Sequence, residues 1–377
     1  MEEIKVLELF GGIGACTKAL KKACIPFKVV DYVEIDKYAV KSYNAINGTF
    51  YSPQDIKEWD KDLEIDLIMH GSPCQDFSLE GLNKGGDKGS NTRSSLMYET
   101  IRIVEKLKPK YVIWENVKNL LSGKHIHNFE NYIEEMRRLG YKSQYKIMNS
   151  KDYNIPQNRV RVFTVSIRED VEKVFTFPDA EPLSYKLRDF LDKEVDKKYT
   201  MSEKAIATIC ATGTKGYYYK PEIDLEIARP LTATMHKCHR ASTDNYISNY
   251  FLKYGVKVEI EDGKPYIPVI TNTKKGYDRA TVGDAINFEQ PNSKTRRGRV
   301  GKQIAQTLTT QPTQAVVTEN LEIRRLTPKE AFRLMGFSDE DFNRASTVNS
   351  DTQLYKQAGN SIVVNILENI LTNLLRG

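Results

Sequence analysis

Residues 4–20 read IKVLELFGGIGACTKAL. An apolar run from Ile4 to Phe10 enters a turn with three glycines, Gly11, Gly12 and Gly14, and then GACTKALKKA, whose spacing predicts a helix. A buried strand, a glycine turn and a helix in that order open an α/β unit. Glycines at such a turn let the backbone come close to a ligand. The pattern is Gly-x-Gly-x-x-Thr, so the full dinucleotide fingerprint Gly-x-Gly-x-x-Gly is missing. Taken alone, the turn is equally readable as a plain tight turn.

The alternation continues beyond it. FKVVDYVEI, IDLIMHG, KYVIWENV and RVRVFTVSI read as strands, and KYAVKSYNAI, SLMYETIRIVEKL and FENYIEEMRRLGY as the helices between them. Apolar strands alternating with helices predict a doubly wound, mostly parallel α/β sheet, which binds ligands at the carboxyl ends of its strands. Near Pro178 the character changes. Residues 178–325 are rich in Tyr, Thr, Lys and Gly with weak helical period, and predict a second, smaller, mostly β and irregular domain. RPLTATMHK and AQTLTTQPT within it share a loose Leu-Thr-x-Thr core. The expected division is 1–177, 178–325 and a C-terminal segment 326–377 that returns to the first domain. That segment holds a well-capped helix start, TPKEAFRLMGF, and an amphipathic run with Ile362, Ile366, Ile370 and Leu374 at steps of four.

Composition sets outer bounds. A chain of 377 residues exceeds the usual single core of about 100–200 residues, which fits two domains. There is no run of about 20 apolar residues, and MEEIKVLELF has neither a basic leader nor a cleavage site, so the expected location is the cytoplasm. Five widely spaced cysteines without a Cys-x-x-Cys pair argue against a disulfide framework or structural zinc, and HKCH (His236–His239) lacks a second ligand pair; no metal is expected. The net charge of +6 suggests an anionic partner, and 178–325 carries +5 of it. KTRRGRVGK (Lys294–Lys302) holds five positive charges and no negative one, which reads as a solvated loop or as a phosphate-contacting one.

The strand ends carry the chemistry. The second ends in VEID, with Glu34 twenty residues past Gly14, where an acid suits the hydroxyls of a ribose. Together with the glycine turn, this points to a nucleoside-bearing cofactor without choosing NAD or S-adenosylmethionine. GSPCQ puts Cys74 at the same edge of the sheet, and WENV puts Glu115 there. IPQNRVRV brings Arg159 and Arg161 beside a further strand, two apart and so on one face. Singly each has a structural reading; jointly, a cysteine, a carboxylate and two guanidiniums converge by topology.

This constellation resembles the DNA (cytosine-5)-methyltransferase family of bacterial and phage restriction-modification type. The motifs run in order through FGGIG (Phe10–Gly14), EID (Glu34–Asp36), DI (Asp55–Ile56), GSPCQ (Gly71–Gln75), SSLMYE (Ser94–Glu99), ENV (Glu115–Val117), QNRVR (Gln157–Arg161), RRLTPKEAFRLMGF (Arg324–Phe337) and GNSIVVNI (Gly359–Ile366). Only about 178–320 lies outside them, where that family carries its variable target-recognition domain. The resemblance implies the methyltransferase fold and methyl transfer from S-adenosylmethionine to carbon 5 of a cytosine in a specific duplex DNA sequence, leaving S-adenosylhomocysteine. Carbon 5 is a poor nucleophile. A Cys74 thiolate added at carbon 6 makes it an enamine carbon, with Glu115 relieving charge at ring nitrogen 3 and Arg161 holding the base carbonyl and Glu115. Arg159 is expected to support the thiolate or a phosphate.

Carbon 6 cannot be reached in a stacked duplex, so the base must be flipped. The glycine-dotted stretch Gln75–Arg93 fits a closing lid, with Ser78, Lys84, Lys88 and Arg93 toward DNA; an ordinary surface loop is the alternative. Lys294, Arg296, Arg297 and Arg299 are the candidate DNA contacts of the second domain. For the cofactor, the resemblance implies Phe10, Ile13 and Gly14 around the methionine part, Glu34 on the ribose, Ile35 against adenine, Asp55 and Ile56 at the adenine edge, and Pro73, Leu96, Asn360 and Ser361 completing the pocket. Many relatives have an aromatic residue where Ile35 stands. A monomer suffices for flipping, and the sequence leaves open whether a cognate restriction endonuclease acts on the same site. The other readings are a tRNA cytosine-5 methyltransferase, a catalytically inactive DNA-binding relative and, more remotely, a dinucleotide oxidoreductase.

Overall fold

A computed structural model describes residues 2–73, 96–211, 220–254, 256–271, 273–287, 299–304, 314–318 and 321–376. Its elements in chain order are β1 (Ile4–Leu9), α1 (Ala15–Lys22), β2 (Phe27–Val33), α2 (Lys37–Asn47), β3 (Leu67–His70), α3 (Met97–Leu107), β4 (Tyr111–Val117), α4 (Ile126–Arg138), β5 (Tyr141–Asn149) and β6 (Val160–Arg168). Next come α5 (Glu203–Cys210), β7 (Tyr246–Ser248), α6 (Asn249–Tyr254), β8 (Glu259–Glu261), β9 (Lys264–Ile270), β10 (Tyr277–Ala280), β11 (Ala285–Asn287), β12 (Arg299–Gly301), β13 (Gln314–Val316) and β14 (Ile323–Arg325). The chain closes with α7 (Pro328–Arg333), α8 (Asp339–Ser346), α9 (Asp351–Asn360) and α10 (Val364–Leu375). Two compact units emerge, one of Met1–Tyr185, Pro230–His236 and Ala331–Gly377, the other of Lys186–Arg229 and Lys237–Glu330.

The first unit is built on a six-stranded sheet in the order β2-β1-β3-β4-β6-β5. The pairs β1–β2, β1–β3 and β3–β4 are parallel, while β4–β6 and β6–β5 are antiparallel. The chain leaves β1 in one direction for β2 and then crosses to β3 on the other side of β1. That reversal sends the right-handed crossovers to opposite faces and opens a crevice beyond the carboxyl ends of β1 and β3. Leu7, Leu9, Ile68, Val112 and Trp114 of the strands pack with Ile103 of α3 and Tyr132 and Met136 of α4 in one buried cluster. The strands of this cluster are near-continuous apolar runs because both faces of the sheet are covered.

Strand β5 was not expected from the sequence. YKSQYKIMN sits at the sheet edge, with Lys142, Gln144 and Tyr145 exposed, so it lacks the apolar run that marks the inner strands. At the other end of the chain, Ile366, Ile370 and Leu374 of α10 are buried, and Lys22 of α1 bonds Glu368 at 2.8 Å and Asn365 at 3.0 Å. Ile362 lies before α10 rather than on it, because that helix begins at Val364.

Among its described residues the second unit contains three small antiparallel sheets, β10-β9-β8, β12-β11-β13 and β14-β7, around Ile206, Tyr246, Ile260, Ile267, Ile286 and Ile323. Most of these strands have three residues, too short to hold a register by pairing alone. Buried carboxylates do part of that work. Asp224 accepts from Ser248 N at 2.7 Å, Ser248 Oγ at 2.7 Å and Val258 N at 2.9 Å. Glu330 receives both terminal nitrogens of Arg324 at 2.9 and 2.8 Å and the backbone N–H of Thr327 at 2.8 Å, closing a capping box at the start of α7. No helix among the described residues is long and apolar enough to cross a membrane.

Candidate active site

The glycine turn after β1 is fixed by β2. Phe10 and Gly12 have φ of 52° and 54°. Such values suit glycine and strain phenylalanine, a kind of strain that concentrates at functional sites. Gly12 N–H donates to Glu34 Oε2 at 3.1 Å, and Asp36 N–H to Glu34 Oε1 at 2.8 Å. Burial pushes the Glu34 carboxyl above its ordinary range, and the two backbone donors oppose that. A Cβ built on Gly12 would meet nothing within 4 Å, so open space faces the turn. Ile35 beside it is 66% exposed, an apolar side chain held at the mouth.

Asp55 and Ile56, also expected at the cofactor, stand near this turn. Gln54 N–H donates to the Glu34 carbonyl at 2.9 Å, which brings the next residues, Asp55 and Ile56, to the same edge. Ile56 is buried, and its carbonyl receives Arg102 Nη2 at 2.9 Å, while the Asp55 carboxylate caps Lys57 N–H at 2.9 Å. Ile13 is buried, Gly14 precedes α1, and Phe10 packs half-buried on the main cluster, as does Leu96 at the start of α3.

A second cluster gathers at the ends of β3 and β4. Glu115 is buried in β4, and its Oε1 lies 3.0 Å from Nε of Arg161. The antiparallel register that pairs Val117 with Arg161 and Glu115 with Phe163 makes this contact. Burial raises the Glu115 carboxyl above the usual range, and the positive charges of Arg161 and Arg159 pull the other way. A Cβ on Gly71 would lie 3.3 Å from Ile362 Cδ1 and 3.9 Å from Glu115 Oε2, so the chain leaving β3 runs against both. Ser72 accepts from Trp114 Nε1 at 2.9 Å through its hydroxyl and from Asn116 Nδ2 at 3.4 Å through its carbonyl. Pro73 is half-buried. Cys74, Ser78, Lys84, Lys88 and Arg93 lie outside the described residues.

Arg159 is tied to backbone. Its guanidinium donates to the carbonyls of Leu231 at 2.9 Å, Gly359 at 3.1 Å and Ser361 at 2.9 Å. Gln157, two residues before it, donates to Leu334 O at 2.8 Å and accepts from Leu231 N–H at 3.0 Å. A Cβ on Gly359 would fall 2.3 Å from the carbonyl carbon of Thr232, so only glycine fits there. Asn360 is exposed and Ser361 buried at this junction. The sequence reading missed the contact of Leu231–Ala233 with Gly359; RPLTATMHK was its only trace. Of the expected DNA contacts, Lys294, Arg296 and Arg297 lie outside the described residues, and Arg299 opens β12, opposite Asn287.

A family model for C-5 cytosine-specific DNA methylase matches residues 4–376. The chain belongs to that family. It is therefore an enzyme whose substrate is cytosine in DNA and which needs a methyl donor. Its relatives include an orphan methyltransferase, M.SPRI, of Bacillus phage SPR, 29% identical over 100% of this chain and 98% of the relative. The type II methyltransferase M2.ScrFI of Lactococcus lactis subsp. cremoris is 28% identical over 99% of both chains. Among solved structures, the Entamoeba histolytica methyltransferase EhMeth superposes with a TM-score of 0.66 at 18% identity over 100% of this chain and 99% of that one. The methylase thus has the methyltransferase fold expected from its alternating strands and helices, and the two clusters described above stand at the carboxyl edge of its sheet.

Proposed function

We propose that the methylase transfers a methyl group from S-adenosylmethionine to carbon 5 of a cytosine flipped out of duplex DNA, through a covalent bond to Cys74. The observation that carries this reading is the Glu115–Arg161 pair. A buried carboxylate held 3.0 Å from a guanidinium, with its proton affinity raised by burial, meets the chain that leaves β3 for position 74. Such a carboxyl can share a proton with ring nitrogen 3. Arg161 orients it and can bind the base carbonyl. Thiolate addition to carbon 6 moves electron density to carbon 5. Once carbon 5 carries the methyl group, loss of its proton and cleavage of the carbon–sulfur bond restore the ring and the thiolate.

The residues of the glycine turn fit the donor. Glu34 suits the ribose hydroxyls, Ile35 offers an apolar face to adenine, and Asp55 and Ile56 stand at the adenine edge. Phe10, Ile13 and Gly14 border the methionine part, and Pro73, Leu96, Asn360 and Ser361 complete the enclosure. The open space over Gly12 supports this fit. S-adenosylmethionine supplies an electrophilic methyl on a positive sulfur and is left as S-adenosylhomocysteine. Arg159, bonded to three carbonyls, acts here as a positioning residue for the Ser361 turn.

In this reading 1–177 and 326–377 form the catalytic domain and 178–325 the target-recognition domain. Ser78, Lys84, Lys88, Arg93, Lys294, Arg296, Arg297 and Arg299 meet the DNA. The enzyme works as a monomer in the cytoplasm. The type II relative motivates a cognate restriction endonuclease as companion. Base-resolution mapping of DNA exposed to the purified enzyme and S-adenosylmethionine tests the proposal. The expected result is 5-methylcytosine at one short recurring sequence; methylation of tRNA alone, or of adenine, would overturn it.

A further inference from the structure

Gly12 is held from both sides by β2 and the residue that follows it. Its N–H goes to Glu34 at 3.1 Å, and its carbonyl receives the hydroxyl of Tyr32 at 2.6 Å. Tyr32 lies in β2 and Glu34 is the first residue past its end, so one short stretch of chain grips both peptide groups of one glycine. No peptide bond among the described residues is cis. In a trans peptide the N–H points opposite to the C=O, so the Tyr32 bond turns the Ile13 N–H away from Tyr32.

Tyr32 itself has no freedom. It is fully buried and stacks on Tyr43 with ring centroids 3.9 Å apart at 26°, and Tyr51 leans on it at 5.4 Å. Tyr43 is anchored in turn, its hydroxyl 3.1 Å from Thr17 Oγ1 and donating to Glu8 at 3.3 Å. A Cβ on Gly11 would sit 2.6 Å from the Tyr32 ring, so the turn lies directly on that ring. Burial holds the Tyr32 hydroxyl far above its ordinary pKa, so it stays a donor across the working range. A buried phenol hydroxyl requires a partner, and the Gly12 carbonyl is that partner.

We propose that Tyr32 is a positioning residue for the methyl-donor site, its hydroxyl presetting the Gly12–Ile13 peptide for the donor so that donor binding does not have to order the turn. The proposal rests on the reading of the glycine turn and Glu34 as that site. Preorganisation acts on affinity, because an ordered site loses less conformational freedom on binding. The hydroxyl touches no reacting atom, so methyl transfer from the bound donor is not its concern.

The test compares Tyr32→Phe, which keeps the ring and its stacking, with Glu34→Ala and the parent enzyme. S-adenosylhomocysteine affinity is measured by calorimetry, and donor KM, DNA KM and kcat by methylation of duplex DNA. The expected result for Tyr32→Phe is a donor Kd and KM raised about fivefold to tenfold, the equivalent of one lost hydrogen bond. Its kcat at saturating donor and its DNA KM should stay within about twofold. A merely structural role would lower the melting temperature and the active fraction without moving donor KM, and would overturn the proposal. Unchanged donor affinity in Tyr32→Phe with weakened affinity in Glu34→Ala would also overturn it, leaving the site assignment intact. Unchanged affinity in both variants would instead remove the site assignment and the proposal with it. Should Tyr32→Phe fold poorly, donor KM and kcat are taken at low temperature on its active fraction, where the same selective rise in donor KM is expected and an unchanged KM would overturn the proposal.

Discussion

The buried carboxylates that clamp the second unit and the carboxylates at the crevice of the first are partnered differently. In the second unit Asp224, Asp284 and Glu330 each collect three or more donors, backbone N–H groups among them, and clamp short strands and turns. In the first unit Asp31 is filled in the same way, by Tyr32 N–H, Gln54, Trp59 and Lys61, but at the crevice Glu115 has Arg161 as its ion-pair partner among the described residues, and the half-buried Glu34 accepts one N–H on each oxygen. A carboxylate has about four acceptor positions. Where donors fill them, the group serves the fold; where capacity remains at a strand end facing the crevice, it is available to a ligand. The comparison separates structural from chemical acids without appeal to residue type.

Four measurements break or sharpen it. The largest effect should come from Glu115→Gln, which keeps shape but cannot exchange a proton with the base. Single-turnover methylation should slow by about 10²–10⁴-fold, with melting temperature nearly unchanged. Next, Arg324→Ala should leave the Glu330 carboxylate buried without its charge partner. It should cost about 3–5 kcal/mol in denaturant unfolding, and Glu330→Ala about as much, since both side chains are almost fully buried.

Glu8 gives the third. This β1 carboxyl is pushed up to about 7, by burial foremost, while its bonds to Thr17 and Tyr43 oppose the shift. A raised carboxyl contributes stability that is complete below the unfolded pKa of about 4.3 and is lost as pH climbs toward 7. Unfolding free energy should therefore fall by about 3 kcal/mol over that window, and Glu8→Gln should flatten the fall. The smallest effect belongs to Lys302→Ala. Its partner Asp284 is buried, but Lys302 is mostly exposed, so the loss should be no more than about 1 kcal/mol and should shrink in salt. The Asp284 carboxyl itself is held below the ordinary range, because its donors outweigh burial. What it contributes should be present above about pH 4 and lost as pH falls further.

Much of the first unit was legible because its inner strands, such as IKVLEL and YVIWENV, are covered on both faces and so read as apolar runs. β5 was not, since its exposed Lys142 and Gln144 erase that signal. Glu34, Glu115 and Arg161 could be found from sequence because each stands at or beside the end of a recognisable strand. The partners of Arg159 could not. Its carbonyl acceptors lie 72, 200 and 202 residues away, and a guanidinium bound to backbone leaves no mark on the side chains it meets. Tyr32 was hidden for a related reason, as an aromatic residue inside an apolar strand reads only as core. In the second unit the three-residue strands fall below any period, and the aspartates that pin them look like ordinary turn residues.

The central claim is covalent catalysis through Cys74, and a duplex carrying 5-fluorocytosine at the methylated position tests it most directly. Fluorine at carbon 5 cannot leave as a proton does, so the enzyme–DNA bond persists after methyl transfer. The account predicts a denaturation-resistant complex that requires S-adenosylmethionine, maps by peptide mass to Cys74 and disappears in Cys74→Ser. Full methylation of ordinary cytosine by that serine variant, or no trapped complex with the parent enzyme under conditions where it methylates, would contradict it.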